Sequence, residues 1–159
     1  MSENNKDQEI NTSEQQDSRT VLSKKMYESS KLWISIVKDL TRRISSDDLK
    51  SIVNVQAEAI SHRQNVVDEI KVYSVKIHKL VQKMKVLTKS RFEFYATSYQ
   101  VKTSGTEKLR LIEADLSEHQ CFINELDEHV NFLRDTSKNL ESINYSVKAR
   151  IELANILGV

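Results

Sequence analysis

LRLIEADLSEHQCFINELDEHVNFLRDTSKNLESINYSVKARIELA, residues 109–154, is the stretch whose reading decides the fold. Taken in steps of three and four it gives Leu109, Ile112, Leu116, His119, Ile123, Leu126, Val130, Leu133, Ser137, Leu140, Asn144, Val147, Ile151 and Ala154. On a helix of 3.6 residues per turn these positions share one stripe, the pattern by which long helices pack on one another. His119, Ser137 and Asn144 interrupt the apolar run, and polar groups in such a seam fix register or oligomeric state at a cost in stability. Residues 107–158 therefore read as a C-terminal coiled-coil oligomerisation helix, with Leu126, Val130, Leu133, Leu140, Val147 and Ile151 as its interface.

Upstream, a second helix is expected within residues 45–102. Ile52, Ala59, Val66, Tyr73, Leu80, Leu87, Phe94 and Val101 recur every seven residues, and Val53, Ile60, Val67 and Val81 follow one place later. Ile70, Ile77 and Met84 widen the face in the middle, which suits a bundle or multi-helix assembly. Residues 21–44 read as a first helix with an apolar stripe of Val21, Leu22, Met26, Trp33, Ile34, Val37 and Leu40. The breaks are Ser45-Ser46-Asp47-Asp48, where Ser46 or Asp47 can cap the next helix, and residues 97–106, where Gly105 is expected to allow a turn at positive φ. Residues 1–20 carry almost no apolar side chains and read as a flexible acidic tail.

Composition points the same way. The chain has 159 residues, no proline and two glycines, so helix breakers are nearly missing. The fold class expected is all-α, with long helices in coiled-coil or bundle packing. The core open to a lone chain is thin, which predicts a homo-oligomeric assembly. The single cysteine, Cys121, cannot form an intramolecular disulfide and reads as a small buried apolar group. The N-terminus is polar and acidic, and the longest apolar cluster, LWISIV at 32–37, is too short to span a bilayer. A soluble intracellular protein without a membrane partner is the expectation.

Catalytic signatures are missing. The glycines, at 105 and 158, form no phosphate-cradling loop. His62, His78, His119 and His129 lack metal-ligand spacing, and no nucleophile–base set is visible. The reading is a non-enzyme with no metal and no cofactor.

The net charge of +1 hides a strong asymmetry. Residues 71–110 hold ten bases and two acids, while residues 111–159 hold four bases and nine acids. Lys71, Lys76, Lys79, Lys83, Lys85, Lys89 and Arg91 lie on one helix. Cations repeated along a helix can follow a phosphate backbone without reading bases, giving salt-sensitive, sequence-independent binding. The alternative is a solvated face whose lysines pair with acids of a neighbouring helix. LTKSRFEFYATSYQ, residues 87–100, places Lys89 and Arg91 beside four aromatic rings. Phe94, in the heptad row, is expected in the core, whereas Tyr95 and Tyr99 share one side of the helix and have two readings: packing in a core or interface, or facing outward to stack bases. Rings next to cations favour a single strand, whose bases are free to stack. Lys79, Lys83, Lys85, Lys89, Arg91 and Tyr95 are the candidate nucleic-acid contacts.

Lys89-Ser90-Arg91-Phe92-Glu93-Phe94-Tyr95-Ala96-Thr97 resembles the K-A-R-L-D-Y-Y-S-G motif of the recombination mediator family of T4-like bacteriophages. Glu58-Ala59, the step Leu111-Ile112-Glu113-Ala114-Asp115 and the segment Ile143-Asn144-Tyr145-Ser146-Val147-Lys148 extend the likeness over residues 45–158. Thr97 stands where the family has glycine, and Tyr145-Ser146 replace an arginine-glycine step. The resemblance implies that Lys89 and Arg91 contact single-stranded DNA. It also implies a closed ring of identical subunits, partnership with the phage recombinase and the single-strand-binding protein, and work in the cytoplasm of an infected bacterial host cell. The rival expectation is a structural coiled-coil adaptor with no nucleic-acid role. An amphipathic membrane-surface protein is a third.

Overall fold

The computed structural model describes the backbone of residues 3–45 and 49–158, and the side chains of residues 19–45 and 51–158. It contains three helices, α1 (Glu3–Ile44), α2 (Leu49–Thr97) and α3 (Gly105–Leu157), and no strand among the described residues. Such lengths follow from a sequence without proline whose glycines stand only at the ends of α3. α1 takes in residues 3–20, where a flexible acidic tail was expected. No proline or glycine in that stretch interrupts the helix. The expected caps Ser46 and Asp47 lie outside the described residues.

The break between α2 and α3 is built differently from the expectation. Gly105 does not adopt positive φ but opens α3 as its first helical residue. Ser104 is the cap. Its hydroxyl accepts from the Glu107 N–H at 3.3 Å, and the Glu107 carboxylate accepts from the Ser104 N–H at 2.7 Å. This reciprocal box satisfies two of the helix's orphan donors and holds the Glu107 carboxyl below its ordinary pKa. The glycine that needs positive φ is Gly158 (+70°), just past the end of α3.

The chain divides into two compact units that cut across the helices. Unit 1 combines residues 1–66 and 132–159. Its core is heptad-spaced on all three helices: Met26, Trp33 and Leu40 from α1, Ile52, Ala59 and Val66 from α2, and Leu133, Leu140 and Val147 from α3. Val55, Thr136 and Ile143 complete it, the Thr136 hydroxyl donating to the Phe132 carbonyl at 2.9 Å. Trp33 sits edge-on to His62 at 5.9 Å. Arg43 grips Glu58 through both terminal nitrogens, at 2.6 and 2.8 Å, and Arg63 meets Glu141 at 3.5 Å. Arg150 donates to the Ile44 carbonyl, one of the unsatisfied acceptors at the end of α1.

Unit 2, residues 67–131, is an antiparallel pair made by the second half of α2 and the first half of α3. Tyr73 packs edge-on to His129 at 4.7 Å, with His129 Nε2 3.7 Å from Glu69. Tyr95, Ile112 and Leu116 form a buried cluster near the turn, covered by Met84, Leu87 and Leu111. Between these points the seam is shallow. Ile70, Ile77, Leu80 and Val81 are only half-buried, since this unit has two helices where unit 1 has three.

Several expectations are corrected. The interface residues Leu126, Val130, Leu133, Leu140 and Val147 are buried within one chain, so another subunit cannot reach them in this fold. Only Ile151 remains half-exposed. The companion row fails at Val53 and Ile60, both exposed, because one residue further turns the side chain about 100° away from the buried row. Val21 and Ile34 also face outward. Cys121 is exposed, 3.7 Å from Glu125. No helix of the described residues is long and apolar enough to cross a membrane.

Candidate nucleic-acid interface

Residues 71–91 of α2 contain seven cations and no acid, whereas residues 111–131 of α3 contain six acids and no lysine or arginine. The two helices of unit 2 are thus oppositely charged along their paired lengths. The charge is hardly spent between them, because Tyr73, Ile77, Leu80, Met84 and Leu87 take the inward positions and send most cations outward. Of the seven, only Arg91 reaches an acid of α3, its Nε lying 3.4 Å from Asp115 Oδ2. Lys71 is held by Asp68 at 3.2 Å, and Lys89 lies 3.9 Å from Glu93 with both side chains widely exposed. Lys76 is half-buried, its ammonium 5.1 Å from the centre of the Tyr73 ring. Lys79, Lys83 and Lys85 are exposed and make no ion pair among the described residues.

The lysines from Lys76 to Lys89 fall on two flanks of α2. Lys76, Lys79 and Lys83 follow i, i+3, i+7 spacing, and Lys85 and Lys89 are i, i+4 neighbours, so each set shares a side of the helix. Exposed Val75 and Val86 run between the flanks, and Val72 lies within the first. From Lys71 to Arg91 the strip is roughly 30 Å long at 1.5 Å per residue.

At the end of α2 the aromatic residue that packs inward is Tyr95 and not Phe94. Tyr95, a candidate nucleic-acid contact, is instead buried, as its packing reading has it, and its hydroxyl donates to Asp115 Oδ2 at 2.9 Å. That bond to a carboxylate, followed by burial, raises the Tyr95 pKa. Phe94, read as core, is 43% exposed. The cause is helix geometry. A strict seven-residue repeat slips about 20° per heptad on a straight helix, so six heptads from Ile52 to Phe94 rotate the row by about 120°. Burial decays in step: Ile52, Ala59, Val66 and Tyr73 are buried, Leu80 and Leu87 half-buried, Phe94 exposed, and the next residue turns inward instead.

Sequence reasoning missed the part played by Asp115. Arg91 and Tyr95 stand four apart on α2, on one face, and both reach the same oxygen of that carboxylate. The i, i+4 pair on α2 and the acid on α3 were legible as residues, but not their convergence. Beside them, Phe94, Tyr95 and Tyr99 form an edge-to-face trio with centroids 5.0 to 6.2 Å apart. The Ser98 and Tyr99 N–H groups both donate to the Phe94 carbonyl, which folds Tyr99 back over the last turn. Phe92, 50% exposed, lies on another side of the helix.

Among the described residues no cluster of three or more His, Cys, Asp or Glu could hold a metal ion. No family model, curated protein or solved structure matches the chain.

Proposed function

We propose that the protein is a non-enzymatic single-stranded DNA-binding mediator of homologous recombination, repair and recombination-dependent replication. It would help load a recombinase onto DNA covered by single-strand-binding protein. The observation that carries this reading is the acid-free run of cations on α2, with Lys79, Lys83 and Lys85 exposed and unpaired among the described residues. A merely solvated helix face interleaves both signs, as residues 21–70 do with eight bases and seven acids. The motif resemblance at residues 89–97 supplies the specific role, together with the recombinase, the single-strand-binding protein, the closed ring and the infected bacterial cytoplasm as its setting. Arrayed subunits would join their strips into one track and bind more tightly than one copy through multivalency. Tyr95, being buried, is withdrawn as a base contact; Lys79, Lys83, Lys85, Lys89 and Arg91 remain.

The half-covered seam of unit 2 favours a second reading, a helical adaptor or assembly subunit without nucleic-acid binding. Native mass measurement with and without a short poly-dT strand separates the two. The mediator gains mass in multiples of the strand. An assembly that keeps the same mass in low salt with excess strand refutes it and leaves the adaptor.

A further inference from the structure

We propose that Phe94 and Tyr99 form a stacking site for unpaired nucleobases at the end of α2. This inference rests on the reading of α2 as a nucleic-acid track, and it names the feature that would select a single strand over a duplex.

Four of the chain's ten aromatic residues fall between positions 92 and 99. Three of them make one cluster, and the cluster has an inside and an outside. Inside, Tyr95 is buried and tied through its hydroxyl to Asp115. Outside, Phe94 and Tyr99 are 43% and 39% exposed, braced edge-on against Tyr95 at 5.2 and 5.0 Å. Apolar rings held at the surface by a buried anchor need little further ordering when a ligand arrives, which lowers the entropy cost of binding. Every base has a π-face, so stacking tolerates any sequence, but a base inside a duplex cannot reach the rings. Phosphates flanking a stacked base find Arg91 on the Asp115 side of the trio and Lys89 about one and a half turns before Phe94 on α2. The lysine strip would carry affinity, and the rings the preference for unpaired strands.

The test uses the full chain with Phe94→Leu and Tyr99→Leu, changes that keep apolar bulk at exposed positions. Phe92→Leu is the control, since Phe92 is at least as exposed as either ring but outside the trio. Two fluorescein-labelled probes of one length are titrated by anisotropy at fixed salt: oligo-dT and an abasic deoxyribose-phosphate strand. Each of the two variants is expected to lose about five-fold or more in affinity for oligo-dT. Binding of the abasic strand, and both affinities of the Phe92 control, should stay within two-fold. Equal losses on both probes, or none on either, overturn the stacking site while leaving the charged track standing. A wild-type chain that binds neither probe overturns the track and the stacking site together. If sedimentation of the DNA-free protein shows that either variant changes its mass, the rings belong to a contact between copies and the proposal fails.

Discussion

Replacing Lys79, Lys83 and Lys85 together with alanine isolates the charged track from everything else. None of the three contacts an acid among the described residues, and all are exposed, so their loss removes positive charge without opening the packed seam. Alanine is also the best helix former, so α2 itself should not weaken. On a single strand each neutralised phosphate contributes about −0.7 to the slope of log K against log salt. Three lost contacts should flatten that slope by about 2. Between 50 and 200 mM salt, a span of about 0.6 decades, the wild type should therefore lose about 20-fold more affinity than the variant. The assay is an anisotropy titration with labelled oligo-dT at four or five salt concentrations, with helix content checked by circular dichroism. A slope unchanged within 0.5 at full helicity would refute the idea that phosphates lie along this strip. A parallel drop in affinity at every salt concentration would place the lysines outside the contact as well.

Three further outcomes test the fold beneath the site. Leu140→Ala empties a position that is 0% exposed in unit 1 and should destabilise the chain by about 2–5 kcal/mol in urea denaturation; its native mass should stay the same, and a drop in subunit number would return Leu140 to an interface between copies. Ser104→Ala removes one half of the capping box and should cost about 1 kcal/mol, read as a lower urea midpoint at constant slope; no shift would mean that α3 does not need its cap. The Glu58 carboxyl is held below its ordinary value of 4.5, first by the hydrogen bonds from Arg43. A depressed carboxyl stabilises the folded state above 4.5 and loses that contribution as pH falls through its folded value. The melting-temperature advantage of wild type over Glu58→Gln should thus be small at neutral pH, because the pair is partly exposed, and vanish as the pH falls below the folded-state value of the carboxyl; an advantage independent of pH would sink the ion-pair account.

The sequence shows α3 best. Its three–four alternation identifies Ile112, Leu116, Ile123, Leu126, Val130, Leu133, Leu140 and Val147 as inward, and all are buried, while Leu109 at the head of the same stripe is exposed. It does not show what covers them, because a heptad stripe states that a helix has a partner without saying whose. Here α1 and the first half of α2 cover the stripe in unit 1, which turns an expected subunit interface into an intramolecular core. Thr136 and Ile143 were missed for the same reason: a helix packed by two neighbours buries more of its circumference than one seam requires. His129, in the two-helix unit, is buried instead by the Tyr73 ring packed edge-on against it. In the candidate site, the lysines were legible because charge can be counted without a structure. The aromatic assignments failed at Phe94 and Tyr95 because a one-residue error of phase exchanges inside for outside, and the slip grows with distance from where the repeat is anchored.

The convergence on Asp115 changes how the motif residue Arg91 should be weighed. A surface arginine that only contacts phosphate can be removed without consequence for the fold. Arg91 is half-exposed and half-engaged: its Nε faces the carboxylate that also receives the hydroxyl of buried Tyr95. Removing the guanidinium leaves that carboxylate without its ion-pair partner beside the Tyr95–Ile112–Leu116 cluster, near the turn where unit 2 has no third helix to brace it. A loss of binding after an Arg91 substitution therefore mixes a missing phosphate contact with a loosened hairpin end, and it cannot be credited to either alone. The lysines at 79, 83 and 85 have no such second attachment among the described residues, which makes them the cleaner measure of whether this helix holds a nucleic-acid strand.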